Sequence, residues 1–312
     1  MDRFKLTPAR SMFFGALALS LATAALYAAL RQFEWHAFRA QVHGLDWRWL
    51  VIAVAFDIAS YIAQALRWRY LLGGARLWQT TRAVYAGLFL NEVAPLRPGE
   101  AVRAFLAARD LRVNVLSVAP TILAERFMDG VWLSAALLAV LMAAPLPASL
   151  TRVAWAVVGT VAAAVAALVM LGRGRFAILR QARSALFRAP AFAVSGLFLF
   201  AQGLAFWSVM RASHLALGLA AAFVVMLVVR VGTLIPGAPA NLGTHQFSTV
   251  LGLSLFGVPQ RDAAGFSLVV FVVLTAPLLM IGFAACVNAG LNWKSVRAAS
   301  RPLEPVKSPL LG

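Results

Sequence analysis

Six apolar stretches, near residues 12–30, 49–66, 115–143, 152–171, 191–210 and 263–286, approach or exceed the length of a membrane span. A helix rising 1.5 Å per residue needs roughly 20 residues to cross a hydrocarbon core about 30 Å thick. Inside lipid every backbone amide and carbonyl must be paired within its own segment, so the predicted fold is all-α and polytopic. Hydrophobic residues make up 62% of the 312, against roughly half in ordinary soluble domains.

The 28 Lys+Arg against 11 Asp+Glu would suggest a nucleic-acid partner in a soluble chain. Here the basic residues lie between or beside the apolar runs, so lipid headgroups are the expected partners and nucleic acid is not. Arginine-rich segments at 67–82, at 172–190 and after residue 290 are assigned to the cytoplasm by the positive-inside rule. This predicts a protein of the cytoplasmic membrane with both termini inside. The run at 12–30 is long for a signal peptide and no cleavage site follows it, which favours a retained first span. The single cysteine, Cys286, excludes an internal disulfide. His245 has no second ligand at metal-binding spacing, so neither a metal nor a cofactor is expected.

Two segments interrupt the apolar pattern. From Asn91 to Arg103 the chain places Glu92, Pro95, Arg97, Pro98, Gly99 and Glu100 where a span should continue. The flanking runs, 83–93 and 101–108, are each too short to cross, and a single crossing through the break would bury four charges in mid-bilayer. A hairpin that enters and leaves on one side fits better, with irregular backbone tolerated only where it is buried in protein or lines a wet cavity. The second break, Pro236 to Pro239, opens into Asn241, Gly243, Thr244, His245 and Gln246, between apolar arms 215–235 and 247–256.

Each break follows two spans and precedes one, which predicts an inverted repeat of roughly 12–143 against 151–286, with a tail after 290 lacking order. The arm 215–235 is long enough to cross alone, so the expectation is six to eight spans with two re-entrant broken-helix hairpins.

Ionisable residues inside spans must be paired or wet. Glu100 and Arg103 stand at i and i+3, Glu125 and Asp129 at i and i+4, and Arg126 can reach Asp129 at i+3. Two readings stay open: a latch of ion pairs holding the first hairpin, or a headgroup site in which Arg97 and Arg103 meet phosphate. Asp57 stands alone in mid-span, read as a latch or a coupling residue, and Arg230 precedes the second break, available to phosphate or to a carboxylate. Prolines and Gly99 free backbone groups for a ligand. Ser134, Ser195, Ser208 and Ser254 are read as packing residues, and no motif for hydrolysis, phosphoryl transfer or dinucleotide binding is present.

The blocks Asn91…Pro95-x-x-Pro98-Gly99-Glu100-x-x-Arg103, Glu125-Arg126-x-x-Asp129 and Pro236…Pro239…Gly243-Thr244-x-Gln246 resemble the transmembrane region of lysylphosphatidylglycerol synthases, a flippase-like family. The resemblance covers about 10–290 and implies a polytopic protein with paired hairpins that moves or handles lipids. It marks Asn91, Pro95, Gly99, Glu100, Arg103, Glu125, Asp129, Pro236, Gly243, Thr244 and Gln246. Two departures stand out. No aminoacyl-transfer domain accompanies the spans in this sequence, so lysyl transfer is not implied, and many members carry Glu where this chain has Gln246.

The function expected from these readings is translocation of an anionic or zwitterionic lipid headgroup through a polar cleft between the hairpins. The headgroup would meet Asn91, Glu92, Arg97, Gly99, Glu100, Arg103, Glu125, Asp129, Arg230, Asn241, Gly243, Thr244 and Gln246, with Pro95, Pro98, Pro236 and Pro239 shaping the breaks. The alternative is a non-transporting membrane partner of a lipid or polysaccharide biosynthetic enzyme.

Overall fold

The computed structural model describes residues 42–94, 98–143, 147–233, 241 and 243–291. The expected first span, the tail, and Pro95, Arg97, Pro236 and Pro239 lie outside the described residues. What is described is helical: α1 (Trp47–Leu72), α2 (Leu77–Val93), α3 (Gly99–Leu111), α4 (Val115–Ala143), α5 (Ala148–Leu171), α6 (Ala177–Leu186), α7 (Ala189–Ala212), α8 (Leu219–Gly232), α9 (Thr244–Ser254) and α10 (Gln260–Asn288).

Helices α1, α5, α7 and α10 are long and apolar enough to cross a membrane. The 29-residue α4 has the same reach, about 43 Å at 1.5 Å per residue, while carrying Glu125, Arg126 and Asp129. The protein is an integral membrane protein. Helix α8 has only 14 residues, about 21 Å, so the arm leading to the second break does not cross alone.

Antiparallel helices α1 and α7 form the axis of the bundle. Arg188, at the start of α7, donates to Tyr70 O at the end of α1 (2.8 Å), and at the other end Asp46 N donates to Ala212 O (3.0 Å). Each of these helices leads into a hairpin, so the hairpins enter from opposite ends. In the first, α2 and α3 run antiparallel: Arg82 pairs with Asp110 near the mouth (2.6 Å), and near the tip the amide of Gly99 donates to Asn91 Oδ1 (2.7 Å). A Cβ at Gly87 would lie 2.8 Å from Gly99 O, so this close approach requires glycine. In the second, α8 and α9 pack with Gly252 against Val225 and Gly232 against Ser248.

Helices α1–α4 and α7–α10 share a pattern of neighbours. Helix α1 packs on α2 as α7 does on α8, α3 on α4 as α9 on α10, and α1 on α10 as α7 on α4. This is the inverted repeat. Two cores flank the axis, one around Trp68, Leu106 and Met128, the other around Phe206, Leu227 and Phe266.

The segment 172–190, expected to be a basic loop, contains α6. Its Ala182, Ala185 and Leu186 are buried while Arg180 is exposed, so the helix lies amphipathically on the bundle end. Ten residues are too few to span, which is why the search for apolar runs passes over it.

Candidate functional site

The first hairpin delivers its charges to a helix outside the hairpin. Arg103, one turn into α3, extends to Glu125 on α4 (2.6 Å) and to Glu100 on its own helix (3.4 Å). Glu125 also takes Arg67 of α1 (3.0 Å), and Arg67 continues to Asp129. Arg126 closes the chain of contacts, pairing with Glu100 and lying 3.7 Å from Asp129. Three guanidiniums and three carboxylates from α1, α3 and α4 thus alternate, each touching two of the opposite sign. In a hydrocarbon surrounding such alternation is required, because a lone charge there costs several kcal/mol.

Exposure rises along this network. The side chains of Arg67 and Glu125 are 0% and 1% exposed, whereas Glu100 is 33% and Arg126 53% exposed. The sealed end is braced by rings: the Arg103 guanidinium lies 4.3 Å from the Trp68 centroid and Arg67 lies 5.6 Å from Phe198. The indole N–H of Trp68 donates to Thr121 Oγ1 (3.0 Å), which holds the ring in place. The network therefore has a fixed floor and an open lip.

Arg67 belongs to this network although the sequence reading places it with Arg69, Arg76 and Arg82 at the flank of the second span. The signal was the spacing of Asp57, Ser60, Gln64 and Arg67, which fall on one helical face and are all buried. Ser195 is likewise more than packing, since its hydroxyl lies 3.3 Å from Arg67 Nη1.

The remaining expected residues are distributed as follows. Pro98 caps α3, and Asn91 fixes the hairpin through Gly99. Glu92 stands in the last turn of α2. Arg230 stands in the last turn of α8. Arg230 donates to Gln202 Oε1 and lies 5.1 Å from the Phe198 ring, with Asp129, Arg67 and Arg126 within electrostatic range. At the start of α9 the hydrogen bonds are local: Thr244 Oγ1 donates to Asn241 O (3.0 Å), and Gly243 N donates to Gln246 Oε1 (2.7 Å). Gly243 adopts φ 88°, the left-handed region in which a side chain would be strained. Among the described residues no group of three or more His, Cys, Asp or Glu could hold a metal ion.

Residues 14–282 match the family model described as the lysylphosphatidylglycerol synthase TM region. The chain belongs to that family. No curated protein and no solved structure matches it. The match spans both hairpins and all the helices that carry the ion network.

Proposed function

We propose that the protein is a lipid translocase of the cytoplasmic membrane, passing a phosphate-bearing headgroup through the cleft between the hairpins while the acyl tails remain in the bilayer. The observation that carries this reading is the gradient of exposure along an ion network set among spanning helices. A latch alone would be best served by burial throughout. Here the outer pair, Arg126 and Glu100, is open and each partner has a second counter-ion within the network. A headgroup phosphate can take Arg126 from Glu100 while Glu100 keeps Arg103, so neither side chain is left unpaired in a medium of low dielectric.

Family membership supports a role in lipid modification or flipping. The charge bias supports the orientation: α6 and the mouth of the first hairpin lie at an arginine-rich end, which this reading places in the cytoplasm.

The test uses purified protein in liposomes containing a headgroup-accessible fluorescent phospholipid, read by chemical quenching of the outer leaflet. Glu100→Gln and Arg126→Gln are expected to slow headgroup exchange strongly while the protein remains monodisperse in detergent. These two sit at the open lip, so their loss does not strand a charge in the sealed floor, as Arg103→Ala would. Unchanged exchange in both variants sinks the translocase reading. An inactive wild-type protein that co-purifies with a biosynthetic enzyme would favour the membrane-partner alternative.

A further inference from the structure

The polar face of α1 does not end at Arg67. Toward the middle of the helix it continues through Gln64 and Tyr61 to Asp57, and α2 brings Tyr85 alongside. Asp57, Gln64 and Tyr85 are 3%, 5% and 2% exposed, and in each an oxygen (Asp57 Oδ2, Gln64 Oε1, Tyr85 Oη) lacks a hydrogen-bond partner. The rings of Tyr61 and Tyr85 meet edge to face at 5.7 Å, and Asp57 stands one turn before Tyr61 on α1. Buried oxygens are paired in nearly all folded proteins, through water or a bound ion when no protein donor is at hand. Three such oxygens lie along one seam between α1 and α2.

The chemistry of this seam is specific. Among the described residues Asp57 has no ion-pair partner, in contrast to Glu100, Glu125 and Asp129, each of which holds an arginine. No described cation in the helices packed around it pairs with it, each being committed elsewhere or lying at a helix end. Tyr61 lies on its own helix, where Arg67 is committed to Glu125 and Asp129, and α2 contributes Tyr85, Glu92 and Arg82, the last paired with Asp110. Helix α7 carries only Arg211, near Trp49 at its far end, and α10 carries Arg261 and Asp262 in its first turn and Cys286 near its last. The charges of α4 are committed to the ion network, and Arg230 of α8 donates to Gln202 Oε1. One carboxylate with neutral oxygen donors suits a cation of single charge.

We propose that Asp57, Tyr61, Gln64 and Tyr85 form a second site, distinct from the arginine–carboxylate network, that takes up a monovalent cation, either a proton or a sodium ion, during the transport cycle. Tyr61 and Gln64 connect this site along one face of α1 to Arg67, which holds Glu125 and Asp129. A cation on Asp57 thereby changes the field along the face that ends in the ion network, which couples its entry to headgroup passage. The coupling rests on the translocase reading; the binding does not.

Binding is read on the full chain in mild detergent, as the thermal unfolding midpoint in sodium against choline at constant ionic strength, and across pH in choline. Wild type is expected to shift with sodium if that ion is the occupant, or with pH alone if it is the proton. Asp57→Asn loses the shift, and Asp262→Asn, an exposed control, retains it. Coupling is read in liposomes as the leaflet distribution of lipid under a sodium or pH gradient, a dependence that Asp57→Asn abolishes. A wild-type midpoint that responds to neither cation, or an identical response in Asp57→Asn, overturns the site. A midpoint shift lost in Asp57→Asn while wild type moves no lipid retains the site and rejects the translocase reading instead.

Discussion

The α2–α3 and α8–α9 hairpins share a plan, two short antiparallel helices joined through a Pro/Gly break, but they are held by different forces. The first is tied by charge: Arg82 to Asp110 at its mouth, Arg103 to Glu125 at its depth, and an amide bond from Gly99 to Asn91. The second is tied by close packing, with Gly232 on Ser248 and Gly252 on Val225, while Gly243 bonds to Gln246 and Thr244 to Asn241. Between residues 213 and 260 the chain has no acidic side chain at all. An inverted repeat thus preserves shape while releasing the chemistry of each half, and a translocation path built from two such halves is electrically unequal along its length.

The largest effect expected from this difference is at Glu125. Glu125→Ala leaves Arg67 and Arg103 buried with one acid fewer, and removing one partner of a buried pair costs about 3–5 kcal/mol. In the second hairpin, Thr249→Ala deletes a hydroxyl that donates to His245 O (2.8 Å) and is expected to cost about 1 kcal/mol. Thermal unfolding in mild detergent compares the two. Equal losses would break the distinction between a hairpin held by charge and one held by packing.

Shape, in contrast, should be shared. A Cβ at Gly87 would meet the Arg103 side chain and Gly99 O, and a Cβ at Gly232 would meet Ser248. Gly87→Ala and Gly232→Ala are each expected to destabilise by about 1–3 kcal/mol, since overpacking forces neighbours off their rotamers. A large loss at Gly87 with none at Gly232 would show that the second hairpin has slack the first lacks.

What the sequence discloses follows the same division. Spans α5, α7 and α10 are legible because lipid demands length and apolarity together, and the hairpins because proline and glycine interrupt both. The Glu100–Arg103 and Arg126–Asp129 contacts are legible because they are local, at i and i+3. Arg67 is not, because its partners lie 58 and 62 residues away on α4, and an arginine ending an apolar run reads equally well as an interfacial anchor. Its face was the available clue: Ser60 and Gln64 at helical spacing from it show that this side of α1 packs on protein rather than lipid. Helix α6 escapes for a different reason, being too short to span and too basic to resemble a core helix.

The smallest expected effect concerns Gln246, where the family resemblance expects Glu. Gln246 Oε1 accepts from Gly243 N at 2.7 Å in the first turn of α9. A carboxylate accepts the same bond, and the helix N-terminus favours negative charge by about 0.3–1 kcal/mol. Partial burial opposes that gain, so Gln246→Glu is expected to leave the unfolding midpoint nearly unchanged. Its consequence is electrical, since it places the first negative charge in a hairpin that otherwise has none. Exchange of a phosphatidylglycerol analogue should slow relative to a phosphatidylcholine analogue in the same liposomes, because only the former carries net negative charge past the altered tip. If both slow alike, the neutrality of the second hairpin does not select among headgroups, and the inequality between the two halves serves assembly alone.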